Sequence, residues 1–537
     1  MADAPDKFRI LAADSLAQRG LDFLDGQEDC ALTSAGKIDE DELVRIVPEF
    51  DGMIVRSGTR VTARVLAAAK RLKAVVRAGV GVDNIDLPAA TASGVLVMNS
   101  AEASTITTAE HAFALMLGLA RHISPACRMM ADGGWERNRF QGAQLSGKTL
   151  GIVGFGRIGQ TIASRALAFN MRVVAYDPVF NAATAMDGQV KMVDAVADLW
   201  PEADVITFHV PLSDQTRYLL NRESFGRCRP GVLIVNASRG GVVNEKDLLE
   251  AIDDGRCGGA ALDVFEAEPP AVDSPLRRHD RVLVTPHLGA STVEAQDAVT
   301  IDSASALLDY LRGKAARGAV NVTGLRLDLD PLQSRYADLA GRMAVLLSPM
   351  IAGSLSGVTI DLGGHALTAA AATIERMALI GLLQSHFDTT LNVVNVRHIA
   401  ENRGLNLRAI TSDEEKADAP RMAIEVDAAD RGQRIVGRVY SDLRPRVVEI
   451  NGYHMDIVPA GDMVLIRNDD RPGVIGLVGN EFGNAGINIA DMAISRRGDK
   501  ALMLLRVDER PPDDLTESLS RHDGIDKVAI VSLPPEE

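Results

Sequence analysis

Aromatic residues are scarce, at 4% of the chain, although hydrophobic residues make up 46%. The apolar share therefore rests on Ala, Val, Leu and Ile, a composition that suits helices packed on parallel strands. Cysteine is nearly absent too. Cys30, Cys127, Cys228 and Cys257 are scattered, with no C-x-x-C pair and no ligand-like spacing with histidine. They read as reduced, partly buried thiols, so neither a disulfide framework nor a metal site is expected. No run of Lys and Arg interrupts a formal net charge of −16. A field of that sign repels nucleic acid and anionic lipid, which excludes both as expected partners. A small anionic substrate would need arginines placed locally against that field. No uninterrupted apolar stretch of bilayer-spanning length is expected, since Ala112–Ala120 is flanked by His111 and Arg121. Residues 1–7 carry neither a basic start nor an apolar core, so the expected location is cytoplasmic.

At 537 residues the chain exceeds one hydrophobic core, and three or four domains are expected. Runs beginning at Phe8, Gly52, Leu72 and Val95 read as buried strands of an α/β layer. A helix apolar on most of its surface begins near Ser104, as expected of one buried between layers or domains. A second α/β unit starts at Lys148, with strands beginning at Leu150, Arg172, Asp204, Val232, Gly259 and Arg281. Helical segments between them predict a parallel sheet with right-handed crossovers. Beyond Asn321 the strands starting at Val358, Met422 and Arg434 alternate apolar with polar residues, the mark of half-exposed strands. A last unit opens near Asp462 and continues through a helix over 474–485.

Gly154-Phe155-Gly156-Arg157-Ile158-Gly159 joins a strand to a helix, the context that gives a G-x-G-x-x-G turn its meaning. Gly154 suits the tight turn, Gly156 the approach of a pyrophosphate, and Gly159 close helix–strand packing. The helix N-terminus then offers free N–H groups to phosphate. Asp177 ends the next strand, 18 positions after Gly159. A carboxylate there accepts from a free ribose 2′-hydroxyl and repels a 2′-phosphate, which predicts NAD rather than NADP. Asp177-Pro178 also fits a plain strand-ending turn.

Arg239, Glu268 and His287 follow three later strands, at the sheet edge where open α/β folds bind ligands. Oxidation of a 2-hydroxy acid moves a hydride to nicotinamide and a proton to a base. A histidine can be that base, because its ordinary pKa lies near neutrality. A glutamate can fix the imidazole tautomer and favour its charged form. An arginine can grip the carboxylate and polarise the developing carbonyl. Taken singly, each has a bland alternative: a structural histidine, a loop charge, a surface ion pair. Their shared edge beside the glycine turn favours a site.

Together with Gly154–Gly159, the runs Asn236-Ala-Ser-Arg-Gly-Gly, Leu262-Asp-Val-Phe-Glu-Ala-Glu-Pro-Pro and Pro286-His-Leu-Gly-Ala-Ser-Thr resemble the D-isomer-specific 2-hydroxyacid dehydrogenases. Arg77-Ala-Gly-Val-Gly-Val-Asp-Asn, Asn99 and Trp135-Glu-Arg fit the same family. The resemblance implies a Rossmann-type doubly wound parallel sheet (106–287) inserted in a flavodoxin-like substrate domain (1–105 plus 288–321). Two smaller α+β regulatory domains follow: an intervening, allosteric substrate-binding-like domain (322–458) and an ACT domain (459–537). It implies Arg239, Glu268 and His287 as the catalytic set. It implies NAD held by Gly154, Gly156, Arg157, Ile158, Gly159 and Asp177, with His209, Val210, Pro211, Ala237, Asp263, Gly289 and Ala290 completing the lining. Arg56, Ser57, Arg77, Gly79 and Asn99 are implied in substrate binding, with Arg137 reaching in from a neighbouring subunit.

The chain runs 250 residues past His287, whereas simpler family members stop soon after that histidine. Length therefore points to the serine-biosynthetic members that oxidise 3-phosphoglycerate, acting as a homodimer or homotetramer. Asn468, Asp470 and Asn488 are implied as an L-serine effector site; serine-regulated relatives often carry His or Tyr where Asn468 stands, so the ACT unit could instead serve assembly. Two competing expectations remain. One is a dehydrogenase of another D-2-hydroxy acid, such as glycerate or 2-hydroxyglutarate. The other is a non-catalytic NADH or amino-acid sensor.

Overall fold

A computed structural model describes residues 7–180, 184–351, 353–387, 389–412, 420–428 and 432–536. Residues 1–6, on which most of the N-terminal reading rests, lie outside the described set. Among the described residues, four sheets follow one another along the chain.

The first sheet comprises β1 (Phe8–Ala13), β2 (Cys30–Gly36), β3 (Gly52–Val55), β4 (Ala74–Arg77) and β5 (Leu96–Asn99). All pair in parallel in the order β2-β1-β3-β4-β5, the flavodoxin-like arrangement. Leu11, Val55, Val75 and Val97 fill one face. On the other, Ile10, Ile54, Val76 and Met98 pack with Leu307 and Leu308 of the Val293–Leu311 helix. That helix returns after the second sheet and crosses the Gln18–Asp25 helix closely: a Cβ at Gly20 would meet Thr300 Cγ2 at 2.2 Å. The strand β2 was not foreseen, because its burial alternates poorly along an exposed edge.

The second sheet comprises β6 (Thr149–Val153), β7 (Arg172–Tyr176), β8 (Thr184–Ala185), β9 (Val190–Met192), β10 (Val205–Phe208), β11 (Val232–Asn236), β12 (Cys257–Leu262) and β13 (Val282–Val284). Its order is β13-β12-β11-β10-β6-β7-β9-β8, parallel except for the short edge strand β8. The order reverses between β6 and β10, so the crevice at their carboxyl ends is the topological switch point. The predicted apolar helix is Thr105–Ala120; Ala109, Phe113, Met116 and Leu119 bury it on this sheet.

The third sheet holds β14 (Leu355–Gly363), β15 (Asn406–Ser412), β16 (Arg421–Ala428), β17 (Gln433–Val439), β18 (Pro445–Ile450) and β19 (Tyr453–Ile457), in the order β15-β14-β16-β17-β18-β19. Two helices cover it, Pro331–Leu347 and Ala371–Leu383, which the strand periodicity around them had obscured. They cross so closely that a Cβ at Gly381 would meet the Gly341 carbonyl at 2.4 Å. The helical run His365–His386 is, by length and composition, apolar enough to cross a bilayer, although Glu375 and Arg376 interrupt it. Of its most apolar stretch 56% is buried within the fold, and Glu375 and Arg376 are buried too, as in a core helix.

The fourth sheet holds β20 (Asp462–Asp469), β21 (Ile489–Arg497), β22 (Lys500–Val507) and β23 (Ile525–Ser532), antiparallel in the order β21-β22-β20-β23. With the Val474–Asn484 and Asp513–Arg521 helices it forms a βαββαβ unit. The helices bury one face, through Val478, Phe482 and Leu519. The other face, through Met463, Leu465, Leu502, Leu504 and Val531, shares a continuous core with the third sheet and its helices. Arg342, 6% exposed, ties them further, donating to the Pro459 carbonyl at 3.1 Å and the Pro534 carbonyl at 2.6 Å.

Candidate active site

The glycine turn divides its labour as the chemistry requires. Gly154 has φ +95°, and a Cβ there would lie 2.4 Å from the His209 carbonyl. At Gly159 a Cβ would meet the Gly154 carbonyl at 2.2 Å. Gly156, just before the Arg157–Ala168 helix, has nothing within 4 Å of that position. Two glycines thus serve packing, and the third keeps open a cradle in front of a helix N-terminus, which fits a pyrophosphate. Asp177 accepts from the Phe155 N–H at 2.8 Å and the Val179 N–H at 2.9 Å. Its carboxylate thus makes the strand-ending turn and also braces the glycine loop.

His287 and Glu268, distant in sequence, are in contact. His287 Nδ1 lies 2.8 Å from Glu268 Oε2. Glu268 Oε1 accepts from the Phe265 N–H at 3.1 Å. Burial pushes the Glu268 carboxyl upward, but His287 and the Phe265 N–H outweigh it and hold it below the ordinary value. His287 sits in a left-handed turn, φ +56°, tied by its N–H to the Asp263 carbonyl at 3.0 Å.

Asp263, expected in the cofactor lining, is fully buried. Its carboxylate accepts from Thr285 at 2.6 Å and from the Leu288 and Gly289 N–H groups at 2.8 Å each. His111 Nε2 approaches it at 3.1 Å. Burial raises this carboxyl most strongly, yet the donors together hold it below the ordinary range. Its visible work is to fasten the turn that carries His287. The sequence reading missed His111 in that role, although a histidine within an apolar helix is a recognisable flag.

Across the crevice stand the arginines. Arg77, at the end of β4, is pushed down to about 10 by burial and by repulsion from Arg239 and Arg56, so it stays cationic at neutral pH. Its Nε is buried without a hydrogen-bond partner among the described residues. Gly79, with φ +142°, leaves the room its guanidinium occupies: a Cβ would meet Nη1 at 1.7 Å. Arg56 donates to the Ser15 carbonyl at 3.0 Å, and Ser57 beside it is exposed. Asn84 donates to the Arg56 and Thr59 carbonyls at 2.7 and 2.6 Å, stitching the two loops. The Asn99 amide is engaged with the Val80 carbonyl at 2.6 Å. Arg239 donates to the Ser238 carbonyl at 2.7 Å and pairs with Asp83 at 3.2 Å.

Other expected residues sit more plainly. His209 lies 2.9 Å from the Thr207 hydroxyl, and burial pushes it down to about 3, leaving it neutral. Val210 packs beside Gly154, and the Pro211 carbonyl accepts from Thr216 at 2.6 Å. Ala237 is buried beside β11, and the Ala290 carbonyl accepts from Gln296 at 2.8 Å. Arg157 pairs with Glu102, and Ile158 packs on the sheet's core. Arg137 is exposed, and no described contact joins it to the cleft arginines. In the last unit, Asn468 is buried with an unpartnered Oδ1, Asp470 pairs with Arg496 at 3.3 Å, and Asn488 donates to Asp508 at 2.8 Å. Asn468 pairs with Ala501 and Ile489 with Val507, opposite ends of β22. At ~3.4 Å per residue these ends are roughly 20 Å apart, so one copy does not bring Asn468 and Asn488 together.

A nucleotide cradle and a histidine–carboxylate pair thus follow strands of the second sheet, and Arg56 and Arg77 follow strands of the first. Residues 113–289 match the NAD-binding domain of the D-isomer specific 2-hydroxyacid dehydrogenases. Residues 333–451 match the D-3-phosphoglycerate dehydrogenase intervening domain, and 463–524 an ACT domain. Among solved structures, an NAD-dependent formate dehydrogenase from Staphylococcus aureus in complex with NAD is 29% identical with a TM-score of 0.52, covering 57% of this chain and 96% of that one. The TT0316 protein from Thermus thermophilus is 33% identical with a TM-score of 0.53, covering 58% and 100%. The chain is an NAD-binding D-isomer-specific 2-hydroxyacid dehydrogenase. D-3-phosphoglycerate dehydrogenase of Archaeoglobus fulgidus is 37% identical, over 98% of this chain and all of that protein, and the Bacillus subtilis enzyme of the same name is 38% identical over the same shares. The chain belongs to the D-3-phosphoglycerate dehydrogenase family.

Proposed function

We propose that the chain oxidises 3-phospho-D-glycerate to 3-phosphohydroxypyruvate with NAD, the first step of L-serine biosynthesis. The observation that carries this reading is the convergence of Arg56, Arg77 and Arg239, close enough for the first and last to depress the Arg77 pKa. A phosphorylated hydroxy acid brings a carboxylate and a phosphate of about −1.5 to −2 charge, which matches such a cluster inside an acidic chain. The chemistry that NAD supplies when bound is acceptance of the hydride leaving C2. His287 Nε2 takes the hydroxyl proton, and Glu268 stabilises the imidazolium that results. Arg239 holds the carboxylate and the developing carbonyl oxygen. Arg56 and Arg77, with Ser57, Gly79 and Asn99, receive the rest of the anion. Gly156, Arg157, Ile158 and Asp177 hold the cofactor, and His209, Val210, Pro211, Ala237, Gly289 and Ala290 line its cleft. A panel of phosphorylated and unphosphorylated D-2-hydroxy acids, followed by reduced-nicotinamide absorbance, tests the reading. Preference for glycerate or 2-hydroxyglutarate would move it to another member of the family, and no turnover of any would favour a sensor.

The working unit is a homodimer or homotetramer. The Ile123–Ala131 helix has no buried residue, and Ile123, Met130 and the nearby Trp135 are 53%, 52% and 74% exposed. A second copy covering that face would bring Arg137 toward a neighbour's cleft. Paired ACT units would likewise set Asn468 and Asp470 of one copy against Asn488 of another, a site suited to an amino acid such as L-serine. The domain division is 1–105 with 288–321, 106–287, 322–458 and 459–537. The four described cysteines are free, with Cys30, Cys228 and Cys257 held as thiols by burial, which suits a cytoplasmic setting.

A further inference from the structure

Arg239 is held from two sides. Its Nη1 donates to the Ser238 carbonyl at 2.7 Å, and its Nε faces Asp83 Oδ2 at 3.2 Å. Its Nη2 lies against Gly81, where a Cβ would stand 2.0 Å away. The backbone under it is fixed as well, because Asn236 Nδ2 donates to the Arg239 carbonyl at 2.9 Å. These supports come from different places in the fold. Ser238 and Asn236 belong to the nucleotide sheet at β11, whereas Gly81 and Asp83 follow β4 in the first sheet.

The Asp83 loop is itself anchored. Asn84 binds the Arg56 and Thr59 carbonyls, and Asn99 binds the Val80 carbonyl. Asp14, the other acid acting on the arginine cluster, is tied up by the Ser15, Gly58 and Thr59 N–H groups. Asp83 differs. Its side chain is 72% exposed, and Arg239 is its one ionic partner among the described residues. It therefore contributes little to packing, and its contact serves the guanidinium.

We propose that Asp83 is a positioning residue for the dehydrogenation: reaching across the domain cleft, it aims Arg239 at the substrate. Resting on the function given above, this makes the aim of Arg239 depend on how the first sheet meets the second. With Asp83 ion-paired beside Nε and one Nη1 donor taken by the Ser238 carbonyl, the guanidinium is held from two sides and its remaining N–H groups are left for the substrate's carboxylate and its developing carbonyl oxygen. Asp83 also offsets the mutual repulsion of Arg56, Arg77 and Arg239, so that the fork stays in the cleft when the substrate is absent. An arginine whose fork swings freely still attracts an anion, but it stabilises the transition state poorly.

The test is steady-state kinetics on the full chain with 3-phospho-D-glycerate and NAD. Asp83→Ala is expected to lower kcat about tenfold or more while KM changes less than threefold, with NADH binding and melting temperature unchanged. Asp83→Asn, which keeps an acceptor oxygen, is expected to retain an intermediate kcat. In an Arg239→Lys background, where no Nε edge exists, Asp83→Ala is expected to cost less than a further twofold. Wild-type kcat in Asp83→Ala would overturn the proposal, and so would an undiminished loss in the Arg239→Lys background. A wild type that turns over other hydroxy acids but not 3-phosphoglycerate would overturn the substrate reading instead, and the same cycle on the preferred acid would still decide Asp83.

Discussion

At the residue scale, the glycine turn separates binding from folding. Gly154 and Gly159 are tight against backbone carbonyls, whereas Gly156 faces open space. Alanine at Gly154 or Gly159 is therefore expected to lower the melting temperature. Alanine at Gly156 is expected to leave it unchanged while weakening NAD by about tenfold, ~1.4 kcal/mol, as read by NADH fluorescence titration. A destabilised Gly156→Ala protein would assign that glycine to packing instead. The sequence made these three roles legible, because spacing and flanking strands determine them. It did not make Asp83 or His111 legible as partners. Both are contacts between residues far apart in the chain, Asp83 with Arg239 and His111 with Asp263, and no local pattern encodes them.

At the element scale, the turn from β13 to the Val293–Leu311 helix carries His287, and Asp263 fastens it. A buried carboxylate accepting from two backbone N–H groups and a hydroxyl cannot be replaced by an amide without turning a donor against a donor. Asp263→Asn is expected to cost about 3 kcal/mol of stability at neutral pH and roughly a hundredfold in kcat through displacement of His287. The pH dependence has a definite sign. The Asp263 pKa is lowered in the folded state, so its contribution is fully present above the ordinary value of 3.8 and is lost as pH falls through the lowered one. The stability gap between wild type and Asp263→Asn, measured by urea unfolding, should be constant near neutrality and shrink below about pH 4. A gap independent of pH across that range would contradict the assignment. Strands buried on both faces, such as β4, β7 and β11, were readable from continuous apolar runs. The edge strands β2 and β15 were not, since exposure on most positions leaves them without a hydrophobic signal.

At the scale of the whole molecule, two surfaces bear on the proposed assembly. The fourth sheet is cemented to the third by a shared core and by Arg342, so the two C-terminal units act as one block rather than as beads on a linker. The sequence obscured this, because both faces of a small sheet look alike until one knows which is covered by helices. The nucleotide unit presents the uncovered Ile123–Ala131 helix, with Trp135 beyond it. Charged replacements there, Ile123→Glu with Trp135→Glu, are expected to halve the mass seen by light scattering without unfolding the chain. An unchanged mass would place the subunit interface elsewhere.

The central claim is that the cluster of Arg56, Arg77 and Arg239 reads a phosphorylated D-2-hydroxy acid. Its most direct test is the ratio of kcat/KM for 3-phospho-D-glycerate to that for D-glycerate, in wild type and in Arg77→Gln. The prediction is a wild-type ratio of roughly a hundred or more, corresponding to ~2.7 kcal/mol, that falls at least tenfold in the variant. A wild-type ratio near one would contradict the account.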